Sequence, residues 1–224
     1  MARWHRLLGR DVRFLTGTDE HGLKVQRAAE ENGCSPKEWA DQTVVRFQEA
    51  WAQLGISNDD FIRTSEPRHH TAVQKLLQAC YDNGDIDLQT YEGLYCVSCE
   101  AYFNEDDLES GNCPIHGRPV EHVTEENYFF KLSNYEDKLL ELIESNELRV
   151  IPSTKRNEIL SFIRGGLLDF SISRSRTRAG NWGIPVPGDD DQVMYVWYDA
   201  LANYITAPNL EEGSENFRKY WLDC

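Results

Sequence analysis

The chain has 224 residues, of which 40% are hydrophobic and 27% charged, and its formal charge is −15. That length buries a sizeable core in one large or two modest domains. No apolar run approaches the ~20 residues of a membrane span, and the opening Met1-Ala-Arg-Trp-His-Arg6 is not an apolar signal segment, so a cytoplasmic globular protein with no membrane partner is expected. The acidity argues against a surface that wraps nucleic acid throughout, but the charge is uneven. Between Asp85 and Glu126 there are eleven Asp or Glu against Arg118 alone, whereas between Arg149 and Arg178 there are seven Lys or Arg against Glu158 and Asp169. If the protein meets phosphates, the second stretch is where the cations for them lie.

In chain order, Val12-Arg-Phe14-Leu15 reads as a short buried strand ended by Thr16-Gly17, followed by the polar cluster Thr18-Asp19-Glu20-His21-Gly22 and a helix from Leu23 to Asn32 that Gly33 stops. A polar, ionisable cluster between a strand and a helix marks the carboxyl edge of a sheet, where α/β folds place ligands. Asp19 as a helix cap would account for only one residue of the cluster. Ser35-Pro36-Lys37-Glu38 is a capping box with Pro at the first helical position. The helix behind it carries Ala40, Val44, Phe47, Trp51 and Leu54 on one face, with Trp51 expected in the core, and ends near Gly55. Glu66-Pro67 opens a further helix whose Val73, Leu76, Leu77 and Cys80 share a face, so Cys80 packs rather than reacts, and Asn83-Gly84 closes it.

From Ile86 the texture changes to short runs rich in Tyr, Gly and Asp, as in a small β-rich module. Its centre is Cys96-Val-Ser-Cys99, followed after thirteen residues by Cys113-Pro-Ile-His116. Two pairs with two residues between their members converge at the tips of tight turns, and three thiolates with one imidazole complete a tetrahedral zinc shell. A disulfide reading fits poorly, because the fourth position is His and no secretory segment opens the chain; unmetallated thiols are the remaining alternative. With four protein ligands no position is left for a metal-bound water, so the zinc is structural. Cys34, Cys80 and Cys224 are unassigned and read as buried or incidental thiols.

Asn127-Tyr-Phe-Phe130 returns to strand character, and Ser133-Asn-Tyr-Glu136 is a second capping box, heading a helix with Leu139, Leu140, Leu142 and Ile143. Another helix near Lys155 to Arg164 ends at Gly165-Gly166. Asp169-Phe-Ser-Ile-Ser-Arg174 alternates as a half-buried strand does and delivers Arg174 at its end, either to grip phosphate or carboxylate or to form a surface salt bridge. Trp182-Gly-Ile-Pro-Val-Pro-Gly188 reads as a stiff, extended connection. Val193-Met-Tyr-Val-Trp197 reads as a buried strand passing into a helix with Ala200, Leu201 and Tyr204. Trp197 and Tyr204 then belong to the core or wall an apolar pocket at the sheet's edge.

Thr-Gly-Thr-Asp-Glu-His-Gly, the zinc quartet, Glu-Asn-Tyr-Phe-Phe-Lys-Leu-Ser, Asp-Phe-Ser-Ile-Ser-Arg, Trp-Gly-Ile-Pro-Val-Pro-Gly and Tyr-Val-Trp-Tyr-Asp-Ala occur in that order. Together, from about Arg6 to Trp221, they resemble the class I methionyl-tRNA synthetases with a single zinc knuckle. The resemblance implies an α/β fold: a partial Rossmann-type catalytic domain (1–84 and 166–224) interrupted by a zinc-bearing connective insertion (85–165). It implies methionine, ATP with Mg2+, and tRNA(Met) as partners, with methionyl-adenylate formed and the acyl group passed to the tRNA 3′ end. Asp19 matches the family residue that helps hold the methionine ammonium, and Arg174 the arginine implicated in activation. Trp197, Ala200, Leu201 and Tyr204 fall on the methionine pocket. The family's His-Ile-Gly-His and Lys-Met-Ser-Lys-Ser motifs are absent, and neither His5 nor His69-His70 replaces the former. The chain is therefore expected to be an interior piece, inactive alone. Two other readings share some of these features: a zinc-stabilised protein-interaction module without catalysis, and a class I synthetase for another aliphatic amino acid.

Overall fold

In a computed structural model that describes residues 1–99, 101–209 and 214–222, a short helix, α1 (Ala2–Leu7), precedes a parallel pair of strands, β1 (Leu15–Thr18) and β2 (Asp60–Arg63). Cys224 lies outside the described residues. Parallel strands require a crossover, supplied here by α2 (Leu23–Glu31) and α3 (Pro36–Gln53). Strand β1 starts later than the sequence predicts and runs through Thr16 and Gly17, because pairing with β2 extends it. Gly17 lies opposite Ile62, and a Cβ there would overlap the Ile62 carbonyl, so no other residue fits.

The box at Ser35 forms as predicted: the Glu38 N–H donates to Ser35 Oγ at 3.2 Å and the Ser35 N–H to Glu38 Oε2 at 2.9 Å. Ala40 and Val44 are buried, but Trp51 is only half-buried, edge-on to Phe47 at 5.6 Å, and Leu54 is exposed. The expected core role of Trp51 fails on geometry. An eighteen-residue helix is about 27 Å long, whereas a four-residue strand spans about 13 Å, so strands this short cannot cover the full length of α3.

Helix α4 (Pro67–Asp82) buries Val73 and Leu77 in the main core with Ile86, Ile172, Ile184, Val186 and Met194, and Leu76 and Cys80 pack against that cluster. After Gly84, at φ +81°, the chain enters a long antiparallel hairpin of β3 (Ile86–Cys96) and β5 (Glu121–Phe130), flanked by β4 (Ala101–Phe103). Helices α5 (Glu136–Glu144) and α6 (Ser153–Arg164) form a smaller core from Ile143, Leu160, Ile163 and Leu167. The predicted box at Ser133 does not form. Ser133 Oγ donates instead to Asp169 Oδ1 at 2.7 Å, and Glu136 Oε2 accepts the Leu167 N–H at 2.9 Å. These distant partners outcompete the local cap, and a 3-10 turn over Leu132–Tyr135 leads into α5.

The segment read as one half-buried strand is two, β6 (Phe170–Ser171) and β7 (Ser173–Ser175). β6 completes the sheet β4-β3-β5-β6, and β7 joins a second sheet, β7-β9-β8, with β8 (Pro185–Val186) and β9 (Asp189–Met194). Ile172 makes the transfer. Its N–H donates to the Tyr128 carbonyl and its carbonyl accepts the Tyr195 N–H, each at 2.8 Å. Alternation is lost because both faces are covered: Ser171 to Arg174 are all buried. Pro185-Val186 is likewise a hairpin strand rather than a bare connection. The strand expected to reach Trp197 ends at Met194, and Tyr195 caps α7 (Val196–Leu201), which continues into α8 (Asn203–Thr206).

Ile172 is fully buried where the chain changes sheets. Ile172→Ala is expected to cost about 2–5 kcal/mol of unfolding free energy, measured by denaturant unfolding; a cost under about 1 kcal/mol would show that this crossing does not organise the core.

Candidate functional site

The turn after β1 is fixed before it reaches any ligand. Glu20 is buried, accepting from Thr18 Oγ1 at 2.7 Å and Arg63 Nε at 2.6 Å, and from Ser65 Oγ. Gly22, at φ +102°, begins α2 and no side chain caps it, so Asp19 is not a cap. Its carboxylate instead accepts from Asn203 Nδ2 at 3.3 Å.

Asp19 borders a cavity of about 290 Å³ walled by Trp197, Leu201 and Tyr204, with Ala200, Thr16 and Ile62 around it. Five predicted residues are thus brought together: Asp19, Trp197, Ala200, Leu201 and Tyr204. Trp197 is 51% exposed and Leu201 and Tyr204 each 61%, so none belongs to the core and their apolar faces are open to a ligand; Ala200 is buried. The buried Thr16 Oγ1 and Asn203 Oδ1 have no hydrogen-bond partner among the described residues. Burial raises the Asp19 carboxyl above its ordinary value, and the nearby Asp199 charge raises it further, against the opposing effect of His69. An ammonium seated there would relieve both effects. Asp19 also borders a second cavity of about 290 Å³ between β1 and the α2–α3 pair, lined by Val25, Val44 and Phe47.

Arg174 does not line the cavity of Trp197. It is buried among tyrosines, its guanidinium carbon 4.1 Å from the Tyr195 ring centroid, 5.1 Å from Tyr102 and 5.8 Å from Tyr95. Nη1 donates to Ser171 Oγ and the Ser173 carbonyl, each at 2.7 Å, while Nε has no hydrogen-bond partner among the described residues. The surface salt bridge offered as its alternative is absent among the described residues: Arg174 pairs with no carboxylate. Arg178, by contrast, stacks 4.4 Å from Tyr95 and pairs with Glu125 at 3.3 Å.

At the knuckle, Cys96 and Cys113 are buried, Cys99 partly so and His116 exposed, and their ligand atoms all lie within 4.8 Å of one another. Cys99 Sγ is 3.1 Å from His116 Nδ1. Although burial works against it, Cys113 is lowered to about 6 by hydrogen bonds from His116 and Ile115, whereas burial and the two other sulfurs push Cys99 up to about 12. Sulfurs crowded this closely compete for one negative charge, and a divalent cation among them removes the competition.

Sequence reasoning includes His21 in the polar cluster after β1 and Asp199 in a resembling motif without assigning either a role, and it misses the roles of His69 and Asn203. Asp199 is 1% exposed; its Oδ2 accepts from His21 Nδ1 and its Oδ1 from His69 Nε2, each at 2.6 Å. The available signal was an Asp within an apolar helical run and a His beside Asp19, separated by 178 residues.

A sequence profile described as tRNA synthetases class I (M) matches residues 1–120 and 104–224. The chain belongs to this family. It is 51% identical over 222 residues to a methionine–tRNA ligase of Caldanaerobacter subterraneus subsp. tengcongensis, covering 99% of this chain and 34% of that protein. It is 50% identical to one from Streptomyces coelicolor, covering 97% and 41%. The Mycobacterium tuberculosis methionyl-tRNA synthetase bound by methionyl-adenylate superposes with a TM-score of 0.90 at 44% identity, over 98% of this chain and 44% of that one. The chain thus spans about a third to two fifths of these curated relatives, and its α/β architecture is the family's Rossmann-type synthetase domain. No helix among the described residues is long and apolar enough to cross a membrane.

The raised Asp19 carboxyl sets the sign of one pH effect. The unfolded chain releases this proton at lower pH than the native one, so Asp19 lowers stability as pH rises through the interval between the ordinary and raised values. Asp19→Asn is expected to change Tm more favourably at pH 7 than at pH 3, read by thermal unfolding at both; a change at pH 7 equal to or less favourable than that at pH 3 would contradict this.

Proposed function

We propose that the chain provides the methionine site of a methionine–tRNA ligase. That enzyme condenses methionine with ATP, as its Mg2+ complex, to methionyl-adenylate and pyrophosphate, then passes the acyl group to tRNA(Met). The observation that carries this reading is one cavity joining a carboxylate to an open aromatic wall, in a chain 51% identical to a protein of that name. Asp19 accepts the substrate ammonium. Trp197 and Tyr204 pack against the polarizable thioether, with Leu201 beside them and Ala200 leaving room for the side chain. Arg174, fixed by its tyrosines and unpaired with any carboxylate among the described residues, contributes positive potential toward phosphate. The division into 1–84, 85–165 and 166–224, and a cytoplasmic setting beside ATP and tRNA, belong to the same reading. Because the chain matches only part of its relatives, full aminoacylation is assigned to the complete protein, and these 224 residues alone are expected to give no methionine-dependent pyrophosphate exchange.

Cys96, Cys99, Cys113 and His116 hold a structural Zn2+ in this reading, supported by the donor set and its convergence. About one zinc per chain is expected, with Cys99→Ala releasing the metal and unfolding the β3–β5 knuckle before the β1–β2 region. Elemental analysis and hydrogen exchange check this; a fully protected knuckle without metal would refute it.

Trp197→Ala is expected to weaken methionine on the order of tenfold or more through the lost apolar contact, leaving ATP little changed in the complete enzyme. Calorimetric titration with methionine and leucine, and exchange kinetics, separate the two. Leucine bound as tightly as methionine would overturn the assignment of substrate.

A further inference from the structure

Resting on that methionine-site reading, we propose that Asp199, clamped by His21 and His69, is the positioning residue of the pocket: it locks the α7–α8 corner to the turn that carries Asp19. Three elements meet at its carboxylate. His21 comes from the turn after β1, His69 from the first turn of α4, and Asp199 from α7. Each carboxylate oxygen takes one ring N–H, which sets the hydrogen at Nδ1 of His21 and Nε2 of His69. His69 uses its other nitrogen too, 2.7 Å from Thr206 Oγ1 on α8. His21 is held in turn by the Trp182 ring edge at 5.0 Å, and Trp182 Nε1 donates to the Glu20 carbonyl.

The corner so fixed bears both halves of the pocket. Trp197 and Ala200 flank Asp199 on α7, while Tyr204 and Asn203 follow on α8, and Asn203 reaches across to Asp19. Asp199 touches none of the cavity, so its action is through these neighbours. It also sets the field there. The titratable groups facing Asp19 are Asp199 from α7, His69 from α4, and Glu20 and His21 from its own turn, and Asp199 is the largest of them in effect. Burial works against the charged form of Asp199 itself, but the two histidine hydrogen bonds outweigh it and keep the carboxyl below its ordinary value. A fixed negative charge behind Asp19 selects a ligand that brings a cation.

The test compares shape-matched variants of this chain. Gln places its amide nitrogen where His69 has Nε2, and Leu fills similar space without a donor; Asn and Leu do the same for Nδ1 of His21. Methionine and its desamino analogue 4-(methylthio)butanoate are titrated calorimetrically, with folding checked by circular dichroism. His69→Leu and His21→Leu are expected to lose methionine affinity on the order of tenfold, as for a lost charge-assisted hydrogen bond, with His69→Gln and His21→Asn restoring most of it. Asp199→Asn should also reduce the preference for methionine over the desamino analogue. Equal losses in the Leu and amide variants would show simple packing and overturn the proposal.

A second readout needs no ligand. In 13C-carboxyl spectra Asp19 is expected to titrate at lower pH in Asp199→Asn, and the Asn203 side-chain amide resonance should move in the Leu variants and not in their amide counterparts. If wild type binds no methionine, the methionine-site reading fails while these spectra still decide the clamp. An unmoved Asn203 amide in folded His69→Leu and His21→Leu refutes it, as does an unmoved Asp19 titration in folded Asp199→Asn.

Discussion

The cavity depends on one buried charge. Taking a carboxylate out of water costs on the order of several kcal/mol, and Asp199 is 1% exposed. The cost is offset only while both oxygens keep their N–H donors, so the three elements that supply the groups cannot drift independently. Packing alone would not impose this. Helix α7 has six residues, too few to hold its place by propensity, and Trp197 and Leu201 face outward. The polar clamp anchors it together with Tyr198, which packs against the main core, and Ala202, which belongs to that core.

The knuckle solves a different problem by different means. Its segment is strongly acidic, and a long hairpin with like charges along it gains little from electrostatics. Two devices compensate. Arg178 crosses from the neighbouring strand region to Glu121 and Glu125, and Arg174 stacks on tyrosines from three elements, Tyr95 from β3, Tyr102 from β4 and Tyr195 from the α7 cap. Guanidinium over aromatic rings suits such a joint, because it is attractive without requiring a desolvated carboxylate. Cys96, Cys99, Cys113 and His116 converge at the far end, where no apolar cluster forms among the described residues; the proposed zinc would secure it.

Legibility in the sequence follows the range of the interaction. The box at Ser35, the stops at Gly33 and Gly84, the α4 core face and the knuckle spacing are decided within a few residues, and the structure agrees with each. The box at Ser133 has the same local pattern yet fails, because Asp169 and the Leu167 N–H lie more than thirty residues away and compete for its groups. Periodicity misreads Asp169 to Arg174 for a related reason: a strand that changes sheets is covered on both faces, so alternation carries no information. Asp19 and the aromatic run around Trp197 are visible as residue types at strand ends. The clamp is not, since His21 and Asp199 stand 178 residues apart and nothing local marks them as partners.

The division of labour between clamp and wall has a consequence for how such a site tolerates exposure. An apolar ring gains most from a ligand when water covers it beforehand, so in the proposed site the exposure of Trp197, Leu201 and Tyr204 favours recognition. Uncovered side chains contribute little to folding, and a pocket built from them alone would be loose. Placing the rigidity one layer behind, in a network that excludes water, separates the two demands. Asp19 couples them: it is buried enough to be pushed toward the neutral form by its surroundings and by Asp199, yet it opens on the cavity. In the proposed methionine site an ammonium would meet two neighbouring carboxyl groups, Asp19 and Asp199, so part of its binding free energy would be relief of their mutual repulsion rather than a new contact.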